Sequence, residues 1–286
     1  MRERTTAIES DRSVKEAGKV VDRGFEKLKE DLKQGRIERY LEYLSFTSHF
    51  HHYSHFNQML IFCQKPDAKL VAGYKKWQEM GYEIKMGEQG IRIIAPVFVK
   101  QTEEDAYGRL VSMEKLIGFK EVNVFDASQL NQPVTNFIEF KGKFKHDDEG
   151  KFNLVKKAIQ SEKLSVIESP NLQDFSGATI KNHILLRGEM DTVDKTTSLI
   201  REWANKCLLS FGSSDEREKP PNDGWKGCVE SVAFIVTEYL GLESHFSSGS
   251  IFHYSNTAET LIDNMGVIQK TAHYMINKIV KKAQWM

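Results

Sequence analysis

The chain has 286 residues, and its 40 Lys and Arg are balanced by 40 Asp and Glu, so its formal net charge is zero. A neutral chain has no global field to steer a polyanion, and any nucleic-acid site must therefore be a local patch. The length suits one large or two modest domains with proper cores, and a hydrophobic fraction of 40% argues against disorder.

The N-terminus and the cysteines bear on localisation. The opening residues MRERTTAIESDRSVKE lack the apolar core of a secretory signal, and no apolar run reaches membrane-spanning length. Cys63, Cys207 and Cys228 are too few and too scattered for a disulfide framework, so we expect reduced and mostly buried thiols. These features predict a cytoplasmic protein with no membrane partner.

The first predicted elements are helices. Apolar residues recur at helical spacing between Ser13 and Leu32, and Gly35 ends this amphipathic helix. The segment from Ile37 to Leu44 begins a second helix with the same spacing.

The stretch 50–96 combines two short helices with a strand. Ser54 can cap the first of these helices, and Lys65-Pro66-Asp67 breaks it. The second ends at Gly81, and a glycine turn then leads into a strand at 91–94.

The strand is predicted to continue past Pro96, to turn over 103–109 and to return through a half-buried strand at Val122 and Val124. Residues 131–151 are polar and irregular in pattern, which is typical of a domain boundary. We therefore divide the chain into a first domain at 1–136, a linker at 137–151 and a second domain at 152–286.

The second half is predicted to contain short strands among helices. Strands are predicted at 166–167 and 183–186. Helices are predicted at 153–160, 196–211 and 227–240 and along one stripe from Leu261 to Ile279. The charged loop 212–224 is expected to be exposed. The expected fold class is α+β, with a mostly helical second domain that carries a small sheet.

Basic side chains outnumber acidic ones in the stretch 50–96. One interpretation is a packed α+β unit with core aromatics and solvated lysines. The other is a groove for single-stranded nucleic acid, in which lysines meet phosphates and exposed aromatic faces stack on bases. Composition alone leaves both open.

Motifs in this stretch add a resemblance. In order they are Phe50-His51-x-Tyr53-Ser54-x-x-Asn57, Gln64-x-Pro66-Asp67-Ala68, Val71-Ala72-Gly73-Tyr74, Trp77 and Lys85-x-Gly87-Glu88-x-Gly90-Ile91, with Phe125-Asp126-x-Ser128-Gln129 further on. They resemble the N-terminal single-stranded-DNA-binding domain of ArdC-type antirestriction proteins, in the version found in LtrC-like proteins of conjugative elements. The resemblance implies an α+β domain that binds DNA.

The same resemblance indicates which residues would contact DNA. The basic residues expected on phosphates are Lys69, Lys75, Lys76, Lys85 and Arg92. Tyr53, Tyr74 or Trp77 would be available for stacking. Ser54 and Asn57 would orient the backbone or cap the helix.

Two histidines open a metal-binding alternative. His51 and His55 stand at i and i+4, a spacing that could hold a metal in a helix, although packing, hydrogen bonding or phosphate contact explains them as well. A second set, namely His183, Cys207, Cys228 and His245, lacks ligand spacing. We expect no metal and no cofactor.

The second half resembles the zincin-like metallopeptidase domain of the same family. In that domain, one helix carries His-Glu-x-x-His and a second helix supplies a glutamate. Two histidines at i and i+4 grip Zn²⁺, and the intervening glutamate activates the metal-bound water.

The three ligand positions carry other residues in this chain. The first helix reads Arg201-Glu202-Trp203-Ala204-Asn205, and the position of the third ligand falls on Lys226. Glu202 and Glu230 remain. A cationic side chain repels Zn²⁺, so the resemblance implies a pseudoenzyme in which Arg201 or Lys226 neutralises the leftover acids.

Three functions are compatible with these features. The leading hypothesis is a DNA-binding accessory protein of a plasmid or other mobile element, which coats incoming single-stranded DNA without sequence preference during conjugation. The second is an active metallopeptidase, which the replaced ligands argue against. The third is a protein-interaction module whose ligand-free cleft binds host or mobile-element proteins.

Overall fold

A computed structural model describes residues 2–104, 107, 109–134, 147–170, 172, 175–212, 222–242, 251 and 258–283, with side chains from residue 12 onward except at 212 and 222–224. The chain divides into two compact units. Unit 1 comprises Met1–Phe25 and Phe56–Val134, and unit 2 comprises Glu26–His55 and Thr135–Met286. The sequence-based domain division stays a prediction, because residues 137–146 of its linker lie outside the described residues.

Unit 1 is a three-stranded antiparallel sheet with helices. Its elements are the first part of α1 (Arg2–Lys33), α3 (His55–Gln64) apart from His55, β1 (Val71–Gly73), α4 (Tyr74–Glu79), β2 (Ile91–Glu104), β3 (Leu110–Asp126) and the 3₁₀ turn Ala127–Gln129. The strand order is β1-β3-β2, so β2 is an edge strand. The register pairs Gly73 with Val124 and Val124 with Ile91.

Local sequence explains the turns of unit 1. Gly81 and Gly87 have φ of 82° and 85°, a left-handed conformation that glycine adopts without a Cβ penalty. The apolar core of unit 1 includes Met59, Leu60, Ile61, Trp77, Ile91 and Val124. The two short helices, the glycine turn and the returning strand are therefore confirmed.

Unit 2 contains most of the remaining helices. Its elements are the last part of α1, α2 (Glu38–His49), α5 (Asp148–Gln160), β4 (Ser165–Ser169), β5 (Gly177–Ile180), β6 (His183–Arg187), α6 (Thr192–Gly212), α7 (Asn222–Leu240), α8 (Ala258–Asp263) and α9 (Met265–Ala283). The sheet order is β4-β6-β5, with β4 parallel and β5 antiparallel to β6. Helices α6, α7 and α9 pack together around buried apolar residues such as Leu199, Trp203, Val232 and Ile276.

The α+β fold class is confirmed, while several details differ from the predictions. The last predicted helix is two helices separated at Asn264, whose side chain bonds back to the carbonyl oxygen of Thr260 at 2.8 Å. Strand β5 was not predicted, because its residues are only half-buried and show no alternation. Helix α5 begins at Asp148 rather than Asn153, since the Asp147 side chain accepts a hydrogen bond from the Gly150 N–H.

The prediction of buried cysteines is confirmed for two of the three. Cys207 and Cys228 are buried, but Cys63 is exposed, because it lies at the last turn of the short helix α3.

Most of the predicted loop 212–224 and part of the predicted turn 103–109 lie outside the described residues. Among the helices that the structure describes, none combines the length and apolarity needed to span a membrane.

Candidate nucleic-acid interface and former metal site

The end of strand β3 organises the candidate interface in unit 1. The Asp126 carboxylate accepts hydrogen bonds from the backbone N–H groups of Lys69 at 2.8 Å, of Leu70 at 3.0 Å and of Ser128 at 2.9 Å. Gln129 closes a capping box, because its Oε1 accepts from the Asp126 N–H at 2.8 Å. These bonds fix the loop before β1 against the end of β3.

The Gln129 side chain extends this network to the glycine turn. Its Nε2 donates to the Gln89 carbonyl oxygen at 2.8 Å and to Glu88 Oε2 at 2.9 Å. Sequence reasoning matched Asp126 and Gln129 to the end of a known module but assigned neither a role. Both side chains are buried, at 2% and 6% exposed, and both are hydrogen-bonded to the surrounding backbone, which gives the physical reason for the motif.

Four of the predicted DNA contacts lie around this braced region with exposed side chains. Tyr74 is 53% exposed at the start of α4, and Lys75 and Lys76 follow it on the surface. Lys76 forms a long, exposed ion pair with Glu79 at 3.6 Å. Lys69 is exposed on the loop that Asp126 holds.

Lys85 lies on the other side of the same braced turn. Its side chain is exposed, and its Nζ donates to the Ser128 carbonyl oxygen at 2.8 Å. Arg92 does not join this group, because it lies on the edge strand β2 with β3 between it and β1. The predicted basic residues therefore occupy two places in unit 1.

Trp77 and Asn57 have structural roles that conflict with direct DNA contact. Trp77 is fully buried, and its Nε1 donates to the Phe125 carbonyl oxygen at 2.8 Å, which leaves no ring face on which a base could stack. The Asn57 amide is bonded to the backbone of Ile94 in both directions, at 2.8 and 2.9 Å. We leave both residues out of the proposed surface.

Tyr53 and Ser54 fall in the segment Glu26–His55, which groups with unit 2. Tyr53 is half-buried, its ring meets the Phe50 ring edge-on at 6.1 Å, and burial raises the pKa of its hydroxyl. Ser54 is exposed and directly precedes α3. His51 lies in a turn ahead of α3 and His55 is the first residue of that helix, so the helical i, i+4 geometry does not form.

Two of the three positions that the resemblance assigns to metal ligands, Arg201 and Asn205, carry side chains with hydrogen-bond partners in unit 2. Arg201 Nε lies 2.7 Å from Glu230 Oε1, with the two side chains 28% and 11% exposed. The predicted pairing of Arg201 with one of the leftover acids is thus found. The other candidate cation, Lys226, has an exposed side chain.

Glu202 and Asn205, which lie on the same helix as Arg201, each have a hydrogen-bond partner. The Thr179 hydroxyl of β5 donates to Glu202 Oε2 at 2.6 Å, and Trp225 Nε1 lies 3.2 Å from Asn205 Oδ1. An arginine guanidinium has no lone pair for a metal, and here its positive charge is paired with Glu230. The residues at these positions therefore do not fit a zinc ion.

The alternative metal ligands do not come together in the part of the chain that is described. Burial raises the pKa of the Cys207 and Cys228 thiols to about 12, which opposes the thiolate form that binds metals. No group of three or more His, Cys, Asp or Glu side chains is placed to hold a metal ion within the described ranges. His245 lies outside them.

Comparison with known proteins relates residues 19–125, which span most of unit 1 and the segment Glu26–His55 of unit 2, to one family. Residues 19–125 match the family described as the N-terminal domain of anti-restriction factor ArdC. Two crystal structures of the antirestriction ArdC protein from the R388 plasmid also resemble the chain. The metal-free one is 14% identical with a TM-score of 0.46, covering 80% of this chain and 86% of that chain. The Mn(II)-bound one is 13% identical with a TM-score of 0.47, covering 79% and 85%.

No curated protein matches the chain. The likeness to the two crystal structures is too low to carry an argument, so the assignment depends on the match at 19–125. That match contains α3, β1, α4, β2 and nearly all of β3, which are the elements that build the braced surface. Residues 19–125 are therefore an ArdC-type N-terminal domain.

Proposed function

We propose that the chain binds single-stranded DNA through unit 1, without sequence preference, and acts as an antirestriction accessory protein of a mobile genetic element. The observation that carries this proposal is the match of residues 19–125 to the N-terminal domain of ArdC. Its exposed residues support it in chemical terms. Lys69, Lys75, Lys76 and Lys85 offer ammonium groups to phosphates, and Tyr74 offers a ring to a base.

A sequence-independent mode of binding follows from the residue types. Lysine ammonium groups contact phosphates as point charges, and an aromatic ring stacks on any base. Neither reads the hydrogen-bonding edge of a base. With zero net charge on the whole chain, binding depends on this local surface and is expected to weaken steeply as salt rises.

The test is a titration of labelled single-stranded and duplex oligonucleotides by fluorescence anisotropy at several salt concentrations. We expect tighter binding to the single strand and similar affinity for different sequences. The double change Lys75→Glu and Lys76→Glu should weaken binding and reduce the magnitude of the salt slope by about 1.4, because each phosphate contact on a single strand contributes about 0.7.

A matched control is the double change Lys281→Glu and Lys282→Glu, another adjacent lysine pair on a helix, near the end of α9 in unit 2. It changes the net charge equally and should leave DNA binding intact. Equal affinity for duplex and single strand, or no affinity for either, would refute the proposal.

We also propose that unit 2 derives from a zincin-like peptidase that has lost its metal. The support is the set of internal partners found at the former ligand positions, above all the Arg201–Glu230 ion pair. The purified protein, incubated with Zn²⁺ and then dialysed, should retain no stoichiometric zinc by atomic absorption. Retention of one equivalent that Glu230→Gln abolishes would overturn this assignment and revive the peptidase hypothesis.

A further inference from the structure

Unit 1 contains a cavity of about 270 Å³ on the side of the sheet's edge strand. Its walls come from α1, α3 and the paired strands β2 and β3. The residues used below are Ala17, Lys19, Val20 and Arg23 of α1, Leu60 of α3, and Arg92 with Ile94 of β2. All of them belong to unit 1.

Close packing of two helices forms one end of the cavity. A Cβ atom at Gly24 of α1 would lie 2.6 Å from Met59 Sδ and 2.8 Å from Cys63 Sγ of α3, so the helices touch there. One turn earlier, Val20 and Leu60 line the open space. The cavity is thus a gap bounded by a tight helix crossing.

Three cations border this gap. Lys19, Arg23 and Arg92 line it with exposed side chains, and Arg23 Nε donates to the Lys19 carbonyl oxygen at 3.0 Å, which holds its guanidinium along α1. Across the described residues, no ion pair neutralises any of these three. Two acids also line the gap, but one of them, Glu16, is paired with Arg12 at 3.3 Å. The surplus of positive charge favours an anion.

The inner wall of the cavity is apolar in character. Val20, Leu60 and Ile94 contribute hydrocarbon surface. The polar group beside them is already satisfied, since the Gln64 amide donates to the Arg92 carbonyl oxygen at 2.8 Å and accepts from the Arg92 N–H at 3.0 Å. Such a wall can contact the flat face of any base, but it offers few hydrogen-bonding groups that could distinguish one base from another.

The volume limits the ligand. Pockets for drug-sized molecules usually measure about 300–1,000 Å³, so this cavity suits one small ligand with an apolar and an anionic part. We propose that the cavity holds a single nucleotide of the bound DNA strand, with its base against the apolar wall and its phosphate against Lys19, Arg23 and Arg92. This inference rests on the proposed function, and it assigns Lys19 and Arg23 to DNA binding for the first time.

The experiment tests the charge of the cavity lining and the volume of the cavity with separate variants. The double change Lys19→Gln and Arg92→Gln removes two phosphate contacts. It should weaken single-strand binding and reduce the magnitude of the salt slope by about 1.4. The change Ala17→Leu fills the space and keeps every charge. It should weaken binding as well, but with the salt slope unchanged.

The matched control is the double change Lys27→Gln and Lys100→Gln, which removes one cation from α1 and one from β2 at positions that do not line the cavity. It should bind DNA like the wild-type protein. Thermal melting by circular dichroism must show that each variant is folded. Gly18→Ala, where an added Cβ has nothing within 4 Å, controls for changes to the face of α1.

The outcomes distinguish this inference from the proposed function. If the wild-type protein binds single strands and the cavity variants bind equally well, the cavity assignment is wrong and the proposed function stands. If the wild-type protein binds no oligonucleotide, calorimetric titration with thymidine 5′-monophosphate decides. Binding that Ala17→Leu removes supports the cavity, and no binding refutes it. Equal displacement of the oligonucleotide by inorganic phosphate and by the nucleotide would show that the apolar wall is not used.

Discussion

At the scale of single residues, Arg201 and Glu230 form a largely buried ion pair in unit 2. Glu230 is largely buried, and its Oε1 is paired with Arg201 at 2.7 Å. Its Oε2 is buried, with no hydrogen-bond partner among the described residues. A buried carboxylate needs a counter-charge, and the arginine supplies it. The pair therefore stabilises unit 2 mainly by preventing an uncompensated charge.

We predict that Arg201→Leu lowers the free energy of unfolding by about 1–3 kcal/mol, because it leaves Glu230 buried without its partner. The double change Arg201→Leu with Glu230→Leu should recover much of that loss. Urea denaturation at pH 7 measures both. The control is Lys76→Leu, which breaks the exposed ion pair with Glu79 and should cost less than about 1 kcal/mol. A loss at Arg201 no larger than the loss at Lys76 would contradict this account.

At the scale of elements, two side-chain amides join helix α3 to the edge of the sheet in unit 1. The Asn57 amide exchanges two hydrogen bonds with the backbone of Ile94, and the Gln64 amide does the same with Arg92. The two residues lie two helical turns apart, so they face the same strand. In this way α3 satisfies backbone groups of β2 that have no neighbouring strand, which also blocks strand addition there.

We predict that Asn57→Leu costs about 1–3 kcal/mol of unfolding free energy, since Ile94 is buried and would lose both backbone partners. Gln64→Leu removes the same bonding pattern at an exposed position, where water can replace the amide, and should cost less. Hydrogen exchange at the Ile94 amide should accelerate in Asn57→Leu. Equal losses in the two variants, or an unchanged exchange rate, would show that the amides do not hold the strand.

The elements of unit 1 could be predicted from sequence because local signals define them. Glycines at Gly35, Gly81 and Gly87 mark helix ends and turns, and all three have a left-handed backbone. The roles of Asn57 and Trp77 could not be predicted, because an amide or an indole in an apolar stretch is as compatible with a surface as with a buried hydrogen bond. Their partners, Ile94 and Phe125, lie far along the chain.

The candidate sites also differ in whether local sequence or distant contacts define them. The pairing of Arg201 with Glu202 or Glu230 could be predicted from sequence, because a cation and a carboxylate on facing helices favour each other's charged form. The cavity was not, since it needs α1, α3 and β2 to meet, and only tertiary structure brings Lys19 and Arg23 to Arg92.

At the scale of the whole molecule, pH links folding to two histidines of unit 2, of which His51 is buried and His273 is half-buried. His51 is 9% exposed, and its ring lies 3.8 Å from the His52 ring, 5.1 Å from Tyr239 and 6.3 Å from His273 between centroids. Burial, and then the neighbouring His52 and His273, lowers the pKa of His51 to about 3. Burial, with a smaller effect of His52, lowers the pKa of His273 to about 4.

The direction of the pH effect follows from these values. In the unfolded chain a histidine has a pKa near 6.5. Between pH 6.5 and pH 4 the unfolded state therefore binds protons at these two histidines that the folded state does not bind. Stability from the two neutral imidazoles is therefore complete above pH 6.5 and is lost as the pH falls. Glu259 and Asp67, whose pKa values are lowered by Lys29 and Lys65 respectively, add to the loss only below about pH 4.5.

We predict that the free energy of unfolding falls between pH 6 and pH 5, and that His51 and His273 together contribute up to about 2.7 kcal/mol per pH unit to the slope, because each contributes up to about 1.4. Burial also lowers the pKa of His55, which adds to the fall. In His273→Gln the slope should decrease by up to about 1.4 kcal/mol per pH unit, since a neutral amide cannot take up the proton. Urea denaturation at intervals from pH 7 to pH 5 measures the slope. His183→Gln, at an exposed histidine of β6, is the control and should retain most of it. If His273→Gln and His183→Gln give the same slope, the imidazole of His273 does not contribute to the pH dependence of the free energy of unfolding.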